Sequence, residues 1–205
     1  YRRELNLRDG IVTTTYSAAR QRYRREVLAH FEEDVILLRL TCTREGEPAP
    51  FTCRIWLDRT VDSGCTVERT TGEPDLCLRG RFTSGIGFAV SASIRIKGEN
   101  ATLRPGGSGL DARNASEVIV GLDVSTDAAP DTQKPESGPV AAVDGAWQEV
   151  LESHRAAYRK HNGNFRLDLE LPDPDLPTNE RIREVRAGRS DPGLMLLYYR
   201  FGRYL

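Results

Sequence analysis

Phe88-Ala89-Val90-Ser91-Ala92-Ser93-Ile94-Arg95-Ile96 alternates strictly between apolar and small or polar side chains. Phe88, Val90, Ala92, Ile94 and Ile96 share one face, and Ala89, Ser91, Ser93 and Arg95 share the other. A period of two is the signature of a strand with one buried side. Glu117 to Ser125 reads the same way. Ile11 to Tyr16 is rich in β-branched residues, which suit a pleated surface. Val35-Ile36-Leu37-Leu38-Arg39-Leu40 is a compact apolar run, shorter than a typical helix. Phe51 to Leu57 and residues 76 to 82 complete the strand candidates. Turn signals separate them: Arg44-Glu45-Gly46-Glu47-Pro48, Lys97-Gly98-Glu99-Asn100 and Pro105-Gly106-Gly107-Ser108-Gly109. Many short strands without crossover helices imply a mainly β, antiparallel sandwich.

The pattern changes after this region. Ala128 to Pro139 is polar and proline-rich and reads as an exposed loop or linker. Asp144 is placed to cap a helix from about Gly145. Trp147, Val150, Leu151, His154 and Tyr158 then fall on one helical face. The helix should fade at His161-Asn162-Gly163-Asn164. Phe165, Leu167, Leu169 and Leu171 alternate again, predicting one more strand that Pro172-Asp173-Pro174 stops. A loop should lead to Ser190-Asp191-Pro192, a helix start with proline in the first turn. Leu194, Leu197, Tyr198, Phe201 and Leu205 line one face of that helix. Such a face needs partners, so the expectation is of a truncated helical domain. The expected domains are 1–143, 144–175 and 176–205.

Composition excludes several functions. Lys plus Arg is 29 against 30 for Asp plus Glu, a formal net charge of -1. This balance offers no electrostatic footprint for nucleic acid or an anionic membrane. No apolar run approaches the ~20 residues of a membrane span. Cys42, Cys53, Cys65 and Cys77 fit no zinc or redox spacing. A pair of disulfides in an oxidising compartment and four buried free thiols, acting as small apolar residues, remain equal readings. Asn100-Ala101-Thr102 and Asn114-Ala115-Ser116 match the glycosylation triplet and lean toward a secreted or extracellular protein.

Three stretches together resemble glycoside hydrolase family 95. Tyr1-Arg2-Arg3-Glu4-Leu5-Asn6-Leu7, with Tyr16, Tyr23-Arg24-Arg25-Glu26-Val27 and Val35 to Leu40, is similar to strands of the family's sandwich. The helix carrying His154 and Tyr158 resembles its linker. Pro177-Thr178-Asn179-Glu180-Arg181-Ile182, Asp191-Pro192-Gly193-Leu194 and Phe201-Gly202-Arg203-Tyr204-Leu205 look like the entry to its catalytic barrel. Departures cluster at the junction: Ala157 stands before Tyr158 where the family has Asp, and Asn179 replaces an Asp. His161, Asn162 and Asn164 stand where the family has Leu-Phe and an Arg.

The resemblance implies an antiparallel β-super-sandwich, a helical linker and the first helix of an (α/α)6 barrel. It implies a parent α-L-fucosidase acting on terminal, chiefly α-1,2, fucosyl groups of oligosaccharides or glycans with inversion. The sandwich would pack intramolecularly on the (α/α)6 catalytic domain. The family's catalytic groups lie deeper in the barrel, so no catalytic residue is assigned here. No cofactor-binding or metal residue is assigned, and no cofactor is expected. A carbohydrate-binding or scaffold module, an α-L-galactosidase and an inactive relative are the alternatives.

Local candidates have bland readings. Glu32-Glu33-Asp34 reads as a solvated turn, and Asp173 and Asp175 as loop punctuation. By spacing His30 makes no close ligand pair with another histidine, and His154 with His161, seven residues apart, is too widely spaced for the usual helical metal pair. His154 is expected to pack or bond where sandwich meets linker. Gly106 to Gly109 lacks the lysine of a phosphate loop. Ser125-Thr126-Asp127 has no histidine to make a triad. Tyr198, Tyr199 and Phe201 could stack on sugars but are expected in the core. Arg203 is expected to be buried in an ion pair. Trp56, set among apolar neighbours, is the one strand-region tryptophan a binding module could use.

Overall fold

The computed structural model describes residues 1–72, 74–128, 146–162, 167, 169–171 and 175–204. Twelve strands and three helices form among them. The strands are β1 (Arg2–Asn6), β2 (Ile11–Ala18), β3 (Gln21–His30), β4 (Val35–Arg44), β5 (Glu47–Pro48), β6 (Phe51–Ile55), β7 (Cys65–Thr71), β8 (Asp75–Phe82), β9 (Gly87–Lys97), β10 (Thr102–Gly106), β11 (Gly109–Ala115) and β12 (Glu117–Thr126). The helices are α1 (Trp147–Asn162), α2 (Thr178–Arg186) and α3 (Pro192–Tyr204). All strand pairings are antiparallel. A large sheet runs β1-β2-β3-β4-β12-β9-β8-β7, with β5 added to β4, and a small sheet runs β10-β11-β6. The mainly β, antiparallel sandwich expected from the sequence is the observed fold.

The large sheet is covered on both faces at its centre. On one face Ala92, Ile94, Val118 and Val120 meet Phe51, Leu110, Ala112 and Ala115 of the small sheet. On the other, Ile11, Leu28, Val35, Leu37 and Ile119 meet Trp147 and Leu151 of α1. Each fully buried aliphatic side chain contributes roughly 1.5–3 kcal/mol, so both layers stabilise the sheet. This arrangement corrects the expectation for β12. One-sided burial predicts alternation, yet Glu117 to Gly121 is buried without interruption. Val118 and Val120 enter one core and Ile119 the other, the pattern of a strand covered on both sides. β9 keeps its alternation only in part, because Ser93 is also buried and donates from Oγ to Asp75 Oδ1 at 2.7 Å.

The edges are polar. β1 exposes Arg2, Arg3 and Glu4, and β7 exposes Glu68 and Arg69. Charged side chains discourage further strand pairing. The small sheet ends in β10, where Pro105 is tolerated because an edge strand needs fewer donors. β11 carries a register shift between Ala112 and Ala115, with Asn114 at φ 55°. Asparagine is among the few residues that tolerate this left-handed geometry.

Other expectations need correction. Residues 178–186, read as loop, form α2, whose sequence TNERIREVR has too little apolar content to advertise a helix. Leu167, Leu169, Glu170 and Leu171 are not in a strand; Phe165 and Pro172 to Pro174 lie outside the described residues. So do Asp144, Gly145, and the proline-rich stretch from Ala129 onward. All four cysteines are free thiols, but only Cys42 is buried, while Cys53, Cys65 and Cys77 are half-buried.

Candidate functional site at the sheet–helix junction

The turn between β1 and β2 is built around Gly10, at φ +64°. A Cβ there would come within 2.7 Å of Tyr158 Cε2. Only glycine allows both the turn and the close approach of the α1 ring. The same turn then offers its carbonyls to α1. Tyr158 Oη donates to Leu7 O at 2.9 Å, and His154 Nε2 donates to Asp9 O at 2.7 Å. Arg155 Nε donates to the Asp9 carboxylate at 3.2 Å. The strand motif at Tyr1 to Leu7 and the helix motif at His154 and Tyr158 are thus two halves of one contact.

Two histidines lie inside this junction. His154 is 1% exposed and His30, at the end of β3, is 3% exposed. Their ring centres are 5.8 Å apart. His154 Nε2 bonds a carbonyl, so it carries the proton and Nδ1 is bare; Nδ1 is buried with no partner. Burial pushes the His154 pKa down, chiefly because the charged form would lose its water. His30 Nδ1 accepts the Glu33 backbone N–H at 3.3 Å, and its Nε2 donates to Ser153 Oγ at 3.2 Å. Both rings are therefore neutral and of the same tautomer. His154 thus bonds where sheet meets helix, as expected.

A charged row crosses the same face of the sheet. Arg39 on β4 bonds Glu117 on β12 at 2.6 Å through Nε and reaches Glu26 on β3 at 3.4 Å. Lys97 on β9 adds a contact to Glu117 at 2.8 Å, and Arg24 one to Glu26 at 2.8 Å. The Arg39 guanidinium sits 5.6 Å from the Trp147 ring centre, tying the row to α1. Despite its burial the Glu117 carboxyl stays below its ordinary pKa, because Lys97 and Arg39 together outweigh the desolvation.

The barrel-entry motifs also meet each other. Arg181 of α2, 4% exposed, forms a two-pronged pair with Asp191, with both bonds at 2.8 Å. Asp191 Oδ1 also accepts the Leu194 N–H at 2.9 Å and so caps α3. Its carboxyl is lowered to about 2, first by the Arg181 hydrogen bond. The buried arginine is thus Arg181, whereas Arg203, expected inside, is exposed. Tyr198, Tyr199 and Phe201, also expected in the core, are exposed as well, and Leu196 is the buried residue of α3. A cleft of about 540 Å³ separates α3 from the junction, lined by Leu5, Arg8, Tyr158, Arg159, Tyr199 and Arg200 among others. Among the described residues no carboxylate lines it.

The remaining candidates have structural roles. Glu32, Glu33 and Asp34 form an exposed turn, and Glu32 pairs with Lys160 at 3.3 Å. His161 packs at a tilt against Phe31, with ring centres 4.0 Å apart. Asp127 closes the sheet, accepting the Gly87 N–H at 2.6 Å and pairing with Arg81 at 3.0 Å. Gly106 to Gly109 is the β10–β11 hairpin turn. Trp56 lies just beyond β6 and is exposed. Asp175 is exposed and Asp173 lies outside the described residues. Among the described residues no group of His, Cys, Asp and Glu is arranged to hold a metal ion, and no helix is long and apolar enough to cross a membrane.

Residues 1–131 match the family model described as glycosyl hydrolase family 65, N-terminal domain. Residues 146–205 match the one described as glycosyl hydrolase family 95 catalytic domain. A putative kojibiose phosphorylase from human microbiome superposes on 78% of this chain and 23% of its own, at 10% identity and a TM-score of 0.46. A family GH92 alpha-mannosidase from Bacteroides thetaiotaomicron covers 78% of this chain and 23% of its own, at 14% identity and a TM-score of 0.22. Likenesses this low carry no weight for function. The chain spans under a quarter of the length of either structure. No curated protein matches it.

Proposed function

Through residues 1–131 the chain belongs to the glycosyl hydrolase family 65 N-terminal domain family, and from that premise we propose that it is the supporting part of an α-L-fucosidase. The family matches make the chain glycoside hydrolase-related. The finer reading is hydrolysis of terminal, chiefly α-1,2-linked, fucosyl groups of oligosaccharides or glycans with inversion. The observation that carries it is the family 95 catalytic match, which begins at residue 146. From there α1 docks on the sheet through His154, Arg155 and Tyr158. The sandwich in this reading anchors the linker helix and sets where the catalytic helices start.

The chain's own residues take no chemical step in this proposal. Inversion needs one carboxylic acid to protonate the leaving oxygen and a second carboxylate to activate water. The two stand ~6.5–9.5 Å apart across the scissile bond. Those groups belong to the catalytic domain. The role of this chain is positional: a displaced α1 displaces the catalytic helices beyond it, and a shift of about 1 Å at a reacting centre can cost about 100-fold in rate.

The test is activity of the polypeptide that carries these residues together with its catalytic domain, on an α-1,2-fucosylated oligosaccharide. Released fucose is monitored by NMR before mutarotation. Initial β-L-fucose is the expected product. Initial α-L-fucose overturns inversion, and cleavage of an α-L-galactoside instead moves the specificity to that sugar. No cleavage of either by folded protein refutes the reading.

A further inference from the structure

The two histidines at the junction are more than packing. We propose that His30 and His154 form a pH-sensitive latch that holds α1 on the large sheet while both rings are neutral and lets it go when the pair takes up a proton.

The geometry leaves an added proton nowhere good to sit. On His154 it would go to Nδ1, which is buried without an acceptor. A buried, unsatisfied charged N–H is among the costlier groups in a protein. On His30 it would also go to Nδ1, which already receives the Glu33 N–H. Two donors would then point at each other and the bond would break. Both rings protonated would place like charges 5.8 Å apart. Opening the junction relieves every one of these arrangements by returning the imidazoles to water.

The counter-charge nearest His154, the Asp9 carboxylate, favours an added proton but is already engaged by a cation. From the β1–β2 turn comes Asp9, whose carboxylate is engaged by Arg155 at 3.2 Å while its carbonyl already accepts the His154 Nε2–H. From the β3–β4 turn come Glu32, paired with Lys160, and Glu33, which is exposed. From α1 come Ser153, the cation Arg155, Tyr158 and, one turn on, His161 packed against Phe31. Tyr204 of α3 lies against Tyr158 with ring centres 6.5 Å apart. Burial already lowers the His154 pKa. The unfolded or undocked histidine takes a proton near pH 6.5, and the docked one resists. Docking therefore weakens as pH falls below that value.

Trp147 reports the latch, because it is buried between α1 and the sheet. In the full polypeptide labelled with 5-fluorotryptophan, the ¹⁹F resonance of Trp147 is assigned through Trp147→Phe and tracked from pH 8 to pH 5. The expected result is conversion to a solvent-exposed resonance with a midpoint below 6.5, at unchanged β-sheet circular dichroism. The double variant His30→Asn, His154→Gln should stay docked throughout. A transition that persists in that variant, or no transition in the wild type, overturns the proposal. Should the variant fail to fold, imidazole ¹⁵N shifts of the wild type decide: proton uptake by either ring without movement of Trp147 refutes the latch, and uptake coincident with its release supports it.

Discussion

Gly10→Ala probes the junction most directly, and its cost can be built from two separate terms. The first is the backbone. Gly10 sits at φ +64°, where an L-residue with a Cβ costs about 1–2 kcal/mol. The second is steric. The new methyl would stand 2.7 Å from Tyr158 Cε2, 3.0 Å from Cδ2 and 3.3 Å from Cζ. This is the body of an aromatic ring whose hydroxyl is held by Leu7 O, so it cannot simply swing aside. Forcing a methyl into such a contact costs about 1–3 kcal/mol. Together the loss is about 2–5 kcal/mol. With a urea slope of roughly 2 kcal/mol/M, the unfolding midpoint falls by about 1–2.5 M. The cycle with Tyr158→Ala separates the terms, since removing the ring should shrink the Gly10→Ala cost to the backbone part alone, about 1–2 kcal/mol. An equal cost in both backgrounds refutes the steric argument. A loss below about 0.5 kcal/mol, the range of an inconsequential surface change, refutes both.

Leu37→Ala should destabilise by about 2–5 kcal/mol in the same urea assay, because Leu37 is fully buried between the sheet and α1. Glu117→Gln should cost about 1–3 kcal/mol by leaving Arg39 and Lys97 short of a carboxylate; added salt should screen little of this loss, and a variant as stable as wild type would sink the idea. Asp191→Asn should lower the thermal midpoint near neutral pH by weakening the Arg181 pair and the α3 cap. The Asp191 carboxyl lies at about 2, below the ordinary ~3.9, so its contribution is full above the higher value and disappears as pH falls through the lower one. The gap between Asp191→Asn and wild type should therefore close by pH ~2; a gap independent of pH would exclude the ion pair as its source.

How far each element is legible in the sequence depends on how it buries itself. β9 is legible because one side carries Val90, Ala92, Ile94 and Ile96, and the β4 run because both of its faces are covered. β7, with Glu68, Arg69, Thr70 and Thr71, is a polar edge, and β11 is interrupted by a left-handed Asn114; neither shows a clean period. α2 is hidden because one buried arginine anchors it where a hydrophobic stripe would normally do so. On α3, Leu196 is buried within these residues, whereas Tyr198 and Phe201 of the expected apolar face are exposed. The role of His154 is legible from its helical face. Its partner His30 is not, because the two are joined only by the pairing of β3 with the sheet under α1. Motifs that look like family markers, Tyr1 to Leu7 with Tyr158 and Arg181 with Asp191, are bonded pairs, which no one-dimensional spacing reveals.

The central position of β12 also has a consequence for synthesis. β4 can join β3 as soon as residue 44 is made and β5 pairs only its last two residues, but its main second neighbour begins only at Glu117, which pairs with Thr41. At ~5–20 residues per second, these roughly 80 residues take about 4–16 s to emerge. Through that interval Leu38 and Leu40 border an unfilled sheet edge within the nascent chain. β12 is thus a keystone, and the growing polypeptide must be shielded from sticky encounters until it arrives.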